Sequence, residues 1–259
     1  MEFQQISFEK LSQYENLFKI CFEHNDLTKN YLEWLYFHNP LGQVIGFDAV
    51  EDGKVVAHYP CIPTKIDNYY GLLALNNATH PDFRSRGLHQ KLALQTFEIA
   101  KKDFFFIIAV VNYNSVNNYL DKLGFNQLGR LNLRLGYLNK HKKGSRKWNQ
   151  EELKWRINSP KSKFTLHKTF TGDVYIYCRP KKIPITLKSK VNLESPIDYQ
   201  KTKRPLIPFG FTIDWKINHT PIFYLPQKFK PSPLILIIKQ LKGINIIVNS
   251  WSFPDFDAY

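Results

Sequence analysis

The segment "THPDFRSRGLHQKLALQTFEIAKK", Thr79 to Lys102, places two arginines and a glycine directly before a run with helical periodicity. The apolar positions after Gly87 form one broad helical face, suited to packing on a sheet: Leu88, Leu92, Ala93, Thr96, Phe97, Ile99 and Ala100. A free helix start presents unpaired N–H groups and the positive end of the helix dipole, so it attracts anions. The segment therefore predicts an anion site at the point where a helix begins.

The flanking segments predict strands on both sides of this helix. "YGLLALNNATH" precedes it, and "FFFIIAVV" (104–111) follows and is apolar at every position, as expected of a strand covered on both faces. Strand, helix and strand make a βαβ unit, so the two strands should be parallel with a right-handed crossover. The other predicted elements are two helices at 8–24 and 29–38, a hairpin at 44–66, a short helix ending at Gly124 and a strand at 126–138.

The loop Arg84 to His89 has the composition of a backbone cradle, in which successive N–H groups point into one concavity that holds phosphate. Gly87 lets a ligand approach the backbone closely. The loop lacks the Gly-Lys-Ser/Thr of a Walker loop and the Gly-x-Gly-x-x-Gly of a dinucleotide fingerprint.

The order of strand, "THPDFRSRGLH", helix, apolar strand and "N…Y…LGF" resembles the GCN5-related N-acetyltransferase (GNAT) superfamily over roughly residues 1–137. The resemblance implies an α/β (α+β) fold with a mixed, mostly antiparallel central sheet, a parallel splayed strand pair and flanking helices. It also implies acetyl-CoA or another short acyl-CoA as co-substrate, because the family signature Arg/Gln-x-x-Gly-x-Gly/Ala binds the pyrophosphate of coenzyme A. Arg84 and Gly87 match the signature, whereas His89 departs from it.

The resemblance also assigns cofactor-binding positions. The amides from Ser85 through Arg86, Gly87 and Leu88 to His89 would hold the diphosphate. A backbone amide near Asn77 or Ala78 would polarise the acyl carbonyl, and Thr79 lies between that amide and the cradle. Asn112 or Asn114 matches a family asparagine that contacts the cofactor arm, with capping of the next helix as the alternative.

The catalytic residues follow less directly. The family often places a tyrosine acid four residues before the Gly-Phe of the second helix; here that position is Leu120, and Tyr119 is one residue earlier. A one-residue irregularity of the helix would turn the Tyr119 side chain back toward the site. Tyr113 is the alternative candidate for the acid. For the base, Asn77 can only order a water, and His58 and His80 show no partner in the sequence, so a structural role or a water chain stays open.

The acceptor site of the family lies beside the first two helices. Candidate substrate-binding residues there are Glu23, Asp26, Tyr31 and Trp34, although Trp34 at helical spacing also suits a core. Flat aromatic faces with carboxylates favour an amino sugar. The chain is weakly similar to GNAT proteins encoded with bacterial surface-polysaccharide genes, and a nucleotide-linked amino sugar would suit a basic protein.

Composition bounds the remaining interpretations. The 259 residues carry a net charge of +14, with 15 Lys or Arg between 140 and 190, and such a surface attracts anions or is simply solvated. No zinc-finger spacing, RNA-binding strand motif or basic zipper is present, so nucleic acid is not an expected partner. Three scattered cysteines, the lack of a basic leader and the lack of a spanning segment predict a cytoplasmic protein without a metal. A homodimer stays open.

Two domains are predicted, 1–138 for acyl-CoA binding and catalysis and 139–259 as a smaller α/β lobe. "LKWRINSPKSKFTLHKTFTGDVYIYCRP" repeats the order of features of "LEWLYFHNPLGQVIGFDAVEDGKVVAHYP", so the second lobe is a candidate degenerate GNAT-like half, with chance similarity as the alternative. It has no second Arg-x-x-Gly helix start.

Three functions are therefore compared. The first is transfer of an acetyl or short acyl group to a primary amine of a small molecule, with an amino sugar as the favoured form. The second is a protein or peptide N-acetyltransferase, which a basic surface disfavours for Lys-rich targets. The third is a non-catalytic acyl-CoA-binding or regulatory protein, which Leu120 and the missing carboxylate base keep open.

Overall fold

The computed structural model describes residues 1–22, 26–135, 145–179, 186–196, 211–215, 223–224 and 234–255. At 132–135, 211–215 and 223–224 only the backbone is described. The helices are α1 Leu11–Cys21, α2 Lys29–Phe37, α3 Leu88–Ala100, α4 Tyr113–Asn117 and α5 Gln150–Ile157. Short 3₁₀ segments span Phe8–Lys10, Pro81–Phe83 and Phe253–Asp255, and a π-helical turn follows α4 at Asn118–Lys122.

Fourteen described strands form one sheet. They are β1 Glu2–Gln5, β2 Ile45–Glu51, β3 Lys54–Ile66, β4 Tyr69–Ala74, β5 Ala78–Thr79, β6 Phe106–Asn112, β7 Asn126–Leu135, β8 Phe164–Lys168, β9 Val174–Cys178, β10 Leu187–Lys190, β11 Phe211–Trp215, β12 Phe223–Tyr224, β13 Leu234–Gln240 and β14 Trp251–Ser252. The order along the sheet is β1-β2-β3-β4-β6-β13-β7-β11-β10-β9-β8. Among these strands only the pairs β4–β6 and β10–β11 run parallel, which confirms the predicted mixed, mostly antiparallel sheet.

The predicted hairpin is formed by β2 and β3. Asp52 and Gly53 have φ angles of 50° and 73°, the left-handed pair that a two-residue hairpin turn requires. Between Ala49 and Val50 the register shifts by one residue, so that Asp48 lies opposite His58. This bulge decides which side chains meet in the buried layer under α1 and α2.

Helices cover both faces of the first part of the sheet. α1 and α2 bury Leu11, Phe18, Leu32 and Leu35 on one face, and α3 with α4 buries the other face. The predicted face of α3 is confirmed, since Leu88, Leu92, Ala93, Thr96, Phe97 and Ala100 are all buried and Ile99 is half-buried. With both faces covered, β3 is buried from Val55 to Ile66, and β6 is apolar from Phe106 to Val111 for the same reason.

The second half of the sheet mirrors the first in strand order. In the first half, β4 lies beside its parallel partner β6, and β13 is the next strand. In the second half, β10 lies beside its parallel partner β11, and β7 is the next strand. β7 and β13 pair with each other at the centre, so each half contributes a strand to the other. A common origin of the two halves stays a prediction, and so does a domain boundary at residues 138/139, which the pairing of β13 with β6 crosses.

The two tryptophans of the repeated Leu-x-Trp pattern pack on each other. Trp34 of α2 and Trp155 of α5 stack with ring centroids 4.5 Å apart. Each indole N–H donates to the backbone carbonyl of the other tryptophan, both at 3.2 Å. The contact is therefore reciprocal, as expected where two matching helices meet about an approximate two-fold axis.

Replacing Trp155 by alanine should lower the free energy of unfolding by about 3–5 kcal/mol, because the change leaves a cavity and removes the hydrogen bond that the Trp155 indole donates to the Trp34 carbonyl. Denaturant titration followed by circular dichroism measures this loss. Phe170→Ala is the control, since Phe170 is 99% exposed and its removal should change stability by no more than about 0.5 kcal/mol. Equal midpoints for the two variants would contradict a stabilising role for the tryptophan pair.

Candidate functional site

The loop between β5 and α3 has the backbone geometry of an anion cradle. Ser85 and Gly87 both adopt left-handed conformations, with φ of 61° and 71°, and Gly87 is the residue that caps α3. Alternation of left-handed residues with ordinary ones turns successive N–H groups toward one side. A Cβ at Gly87 would meet nothing within 4 Å, so the glycine is required by its φ angle and leaves open space above the loop.

Most main-chain N–H groups of this loop have no acceptor among the described residues. Arg84 N–H donates to the Pro81 carbonyl at 3.2 Å, but in the described residues no acceptor takes the amides from Ser85 to His89. Residues Arg84 to Gly87 are exposed to solvent. Unpaired amides at the start of a thirteen-residue helix are an available anion site.

Both arginine side chains fold back along the preceding 3₁₀ segment. Arg84 Nε donates to the Thr79 carbonyl at 3.3 Å, and Arg86 donates to the Asp82 carbonyl at 2.9 Å while its guanidinium lies 4.7 Å from the centre of the Phe83 ring. These contacts hold the loop on the residues before it. The two positive charges remain exposed beside the amides and favour an anion there.

A gap opens in the sheet just before the cradle. β4 and β6 are paired through Ala74 and Ala109, and the pairing stops there. Asn76 then adopts a left-handed conformation, φ 52°, and Ala78–Thr79 joins β3 as β5. The sequence predicted one continuous strand over this region; the structure shows a strand broken at 75–77.

The two asparagines of the break have unused hydrogen-bonding groups. In the described residues no acceptor takes the backbone N–H of Asn76 or Asn77. Asn77 Oδ1 and Asn76 Nδ2 are also buried without a hydrogen bond of ordinary length. Ala78, the other candidate for polarising a carbonyl, pairs with His58 across β3. Because buried polar atoms are rarely left unpaired, the gap fits a polar ligand such as a thioester carbonyl.

Tyr119 reaches this gap because its helix is irregular. The π-helical turn at Asn118–Lys122 adds a residue to the turn and directs Tyr119 inward, where it is 4% exposed, while Leu120 packs at the edge of the core. Asn77 Nδ2 lies 2.5 Å from the Tyr119 hydroxyl. The predicted acid thus lies beside the gap, and its catalytic role stays a prediction.

His89 is the second neighbour of Tyr119. Its Nε2 lies 3.3 Å from the Tyr119 hydroxyl, and its Nδ1 lies 3.1 Å from Asn118 Nδ2. Because an amide nitrogen can only donate, Nδ1 accepts, and the proton of the neutral imidazole is on Nε2. The side chain that departs from the family signature therefore turns away from the cradle and onto the tyrosine.

Burial sets the protonation of this pair. Burial raises the pKa of Tyr119 above its ordinary value, so the phenol is protonated at neutral pH and able to donate. Burial also lowers the pKa of His89 to about 4, so the imidazole is neutral. Asn77 and His89 both donate to the Tyr119 oxygen, which leaves its own proton for a further acceptor.

His58 has a partner that the sequence did not show. His58 Nδ1 lies 2.6 Å from Asp48 Oδ1, and Nε2 lies 3.2 Å from the Tyr36 hydroxyl. The His58 and Asp48 side chains are fully buried, so a proton can reach the imidazole only through a neighbouring group. His80, the other histidine considered as a base, has its Nδ1 3.7 Å from the exposed carboxylate of Asp82.

The three other predicted cofactor-binding residues, Thr79, Asn112 and Asn114, differ in their hydrogen bonds and exposure. Thr79 offers its carbonyl to Arg84 and to the Cys21 thiol. Asn112 caps α4, its Oδ1 accepting from the Ser115 amide at 2.9 Å, so the capping alternative is observed. Asn114 is exposed. Their contacts with a cofactor stay predictions.

Two of the predicted acceptor residues, Tyr31 and Trp34, lie together with ring centroids 5.6 Å apart, but in the core. Tyr31 is 1% exposed and Trp34 is 8% exposed in the core, so little of either surface is left for a substrate. Asp26 is half-buried on the connection before α2, and Glu23 lies outside the described residues. A substrate-binding role for Tyr31 and Trp34 stays a prediction that their burial argues against.

A cleft that the sequence did not indicate lies next to the cradle. Its volume is about 580 Å³, and it is bounded by α1, the β2–β3 turn and the 3₁₀ segment before the cradle. Its walls are mixed in chemistry: Gln13, Asn16, Leu17, Ile20, Glu51, Asp52, Gly53, Lys54, Val55, Val56, His80 and Phe83. The size lies within the range of small-molecule sites.

Two solved structures share this architecture. A conserved protein from Enterococcus faecalis V583, described as a probable N-acyltransferase, matches with a TM-score of 0.51 at 11% identity, over 74% of this chain and 58% of that one. A putative acetyltransferase from Pyrococcus horikoshii matches with a TM-score of 0.50 at 8% identity, over 70% of this chain and 68% of that one. The chain has the GNAT fold. It spans little more than half the length of the Enterococcus protein.

The likeness extends to the fold and no further. An Escherichia coli GNAT family N-acetyltransferase (YhbS) in complex with CoA gives a TM-score of 0.42 at 15% identity, over 49% of this chain and 68% of its own. Neither a protein-family model nor a curated protein matches the sequence. In the described part of the chain, no helix has the length and apolar content needed to cross a membrane, and no cluster of His, Cys, Asp or Glu could hold a metal ion.

Gly87→Glu should abolish acetyl-CoA binding without unfolding the protein, because it places a carboxylate and a strained left-handed residue in the cradle. Isothermal titration calorimetry measures the affinity. Gly172→Glu is the matched control: Gly172 also has a positive φ, 83°, and open space around it, but it lies in the second half of the chain. Unchanged acetyl-CoA affinity in Gly87→Glu would count decisively against the cradle.

The lowered pKa of His89 predicts a pH-dependent stability. Folding favours the neutral imidazole, so this contribution is complete above pH 6.5 and is lost as the pH falls toward 4. Between pH 7 and pH 4 the wild type should lose about 3 kcal/mol more than a His89→Gln variant. Denaturant titrations of both proteins at the two pH values test this; parallel losses would mean that His89 is accessible to protons in the folded state.

Proposed function

We propose that the chain is an acyl-CoA-dependent N-acyltransferase that moves an acetyl or short acyl group to a primary amine of a small molecule. One observation carries the proposal: the amides from Ser85 to His89, which no acceptor in the described residues takes, follow the gap between β4 and β6 with only β5 and a short 3₁₀ segment between. The amides can hold the diphosphate of an acyl-CoA, and the gap can receive the thioester end of the same molecule. Each hydrogen bond from a backbone amide to the phosphate contributes about 1.5–3 kcal/mol because the acceptor is charged.

The residues at the gap supply the chemistry of transfer. We assign to the backbone N–H groups of Asn76 and Asn77, which have no acceptor among the described residues, the stabilisation of the negative charge that develops on the acyl oxygen. One such donor typically contributes about 3–4 kcal/mol to the transition state. Tyr119, protonated at neutral pH and held by Asn77, is the group that gives a proton to the departing thiolate.

A small polar acceptor suits the surroundings better than a peptide. The cleft of about 580 Å³ beside the cradle has amide, carboxylate and imidazole groups in its walls, which could bind hydroxyl and amine groups. The net charge of +14 favours an anionic molecule. We therefore favour an amino sugar or nucleotide-linked amino sugar, of the kind used in surface polysaccharides.

We further propose that the second half of the chain is a degenerate GNAT-like copy that binds no acyl-CoA. The mirrored strand order and the reciprocal Trp34–Trp155 contact support a duplicated origin. The sequence shows no second Arg-x-x-Gly helix start to hold a diphosphate. The three cysteines are unpaired, in keeping with a cytoplasmic location.

The test is a thiol-release assay with acetyl-CoA and a panel of amines comprising free amino sugars, nucleotide-linked amino sugars, polyamines and Lys-containing peptides. We expect free CoA to accumulate with amino sugars. Release with peptides alone would indicate a peptide acetyltransferase. Acetyl-CoA binding by calorimetry without release on any amine would indicate a non-catalytic binding protein.

Within the same assay, Tyr119→Phe should lower kcat by about 10²–10³-fold, because the thiolate then leaves without its acid. Acetyl-CoA affinity should be unchanged, since the cradle is intact. Tyr113→Phe is the control: Tyr113 lies nearby on α4 but is 63% exposed, and its kcat should stay within about twofold. Equal rates for wild type and Tyr119→Phe would remove Tyr119 from the mechanism.

A further inference from the structure

A chain of buried hydrogen bonds runs under α1 and α2. The Tyr14 hydroxyl donates to Asp48 Oδ2 at 2.7 Å, His58 Nδ1 lies 2.6 Å from Asp48 Oδ1, and His58 Nε2 lies 3.2 Å from the Tyr36 hydroxyl. The four residues are each no more than 1% exposed. Burying polar groups is costly unless they are hydrogen-bonded, and each of these four side chains has a partner within the chain.

The directions of these hydrogen bonds follow from the groups themselves. The Asp48 carboxylate can only accept, so His58 donates to it from Nδ1. In the neutral imidazole Nε2 then has no proton and accepts the hydroxyl hydrogen of Tyr36. A tyrosine is thereby joined to an imidazole and a carboxylate in the order that activates a hydroxyl as a proton acceptor.

This chain of hydrogen bonds lies beside the gap in the sheet, since His58 pairs with Ala78, the residue directly after the break. The Asn76 side chain lies against the Tyr36 hydroxyl and lowers its pKa, although burial raises that pKa by more. Asn76 is also the left-handed residue of the strand break. Its neighbour Asn77 bonds Tyr119 on the opposite face of the sheet, the face covered by α3.

The two tyrosines at the gap differ in what surrounds them. Tyr119 receives hydrogen bonds from Asn77 and His89, so its own proton can be given away. Tyr36 donates its proton to His58, so its oxygen can receive another one. A transfer reaction needs both, one proton removed from the amine and one delivered to sulfur.

We propose that Tyr36, His58 and Asp48 form the relay that removes the proton from the substrate amine. The proposal rests on the acyltransferase function given above. Tyr36 is the member of the relay that receives the proton, and His58 and Asp48 act through it.

The step balances as follows. As the nitrogen forms its bond to the acyl carbon, its proton passes to the Tyr36 oxygen and the Tyr36 proton passes to His58 Nε2. The carbon–sulfur bond breaks, and Tyr119 gives its proton to the thiolate. Asp48 stabilises the imidazolium until products leave, after which the relay returns its proton to solvent and Tyr119 regains one.

The titratable groups facing His58 come from several elements. α1 contributes Tyr14, whose ring stacks 4.2 Å from the imidazole, α2 contributes Tyr36, and β2 contributes Asp48. Lys10 lies 3.8 Å from Asp48 Oδ2. Cys61 on β3 interacts with Tyr36, and burial raises the pKa of its thiol, so it is neutral.

The test compares two buried hydroxyls of the same network in the full chain. Tyr36→Phe breaks the relay, whereas Tyr14→Phe removes a hydroxyl on the far side of Asp48, where Tyr14 is bonded to the Ser7 amide at 3.0 Å. The measurements are kcat as a function of pH and acetyl-CoA affinity. A structural role for the network predicts similar effects for both variants.

With the relay, Tyr36→Phe should lower kcat at least 100-fold at neutral pH, with unchanged acetyl-CoA affinity and a rate that rises with pH without a plateau. Tyr14→Phe should stay within about fivefold and keep the wild-type pH profile. Asp48→Asn, which removes the charge that stabilises the imidazolium, should lower kcat without changing acetyl-CoA affinity. Thermal melts of all three variants check that they are folded.

Equal losses in Tyr36→Phe and Tyr14→Phe, or full activity in Tyr36→Phe, would overturn the relay while leaving the acyltransferase intact. Absence of CoA release by the wild type with every amine would overturn the proposed function and the relay together. The two failures are therefore distinguishable in one set of experiments.

Discussion

The break in pairing between β4 and β6 is the constraint on which the rest of the site depends. Beyond Ala74 the chain leaves β6 through the left-handed Asn76 and joins β3 as β5, while β6 stays paired with β13. The strand ends on both sides of the gap thus have backbone partners elsewhere, so the sheet itself keeps the gap open. The same departure carries the chain into the cradle, which aligns the anion site with the gap.

The gap separates two different environments. The face under α3 presents Tyr119 with donors around its oxygen, and the face under α1 and α2 presents Tyr36 with an acceptor for its proton. Asn76 and Asn77 are consecutive, and their side chains reach opposite faces of the sheet, Asn76 toward Tyr36 and Asn77 toward Tyr119. One short irregular segment therefore connects both tyrosines to the position of the reacting atoms.

The sequence was sufficient to predict the helices and strands, but not the bulge and the π-helical turn within them. Hydrophobic periodicity and the Asp52-Gly53 turn predicted α3, β6 and the β2–β3 hairpin. A regular two-residue turn, however, places His58 opposite Phe47; only the bulge after Ala49 brings Asp48 opposite it. Likewise, regular helix geometry directs Tyr119 elsewhere, and the π-helical turn corrects it. Such one-residue shifts are decided by packing across the sheet, which a single sequence does not display.

The exchange of strands between the two halves has a consequence for how the protein is made. β6 is covered on its outer edge by β13, whose residues, Leu234–Gln240, are synthesised more than a hundred positions later. Until they emerge from the ribosome, the sheet that holds the gap ends in a bare apolar edge, which invites pairing with other chains. A fragment ending near residue 138 would have the same defect. The cradle loop can fold early in synthesis, but the sheet next to it is complete only after β13 has been synthesised and has paired with β6.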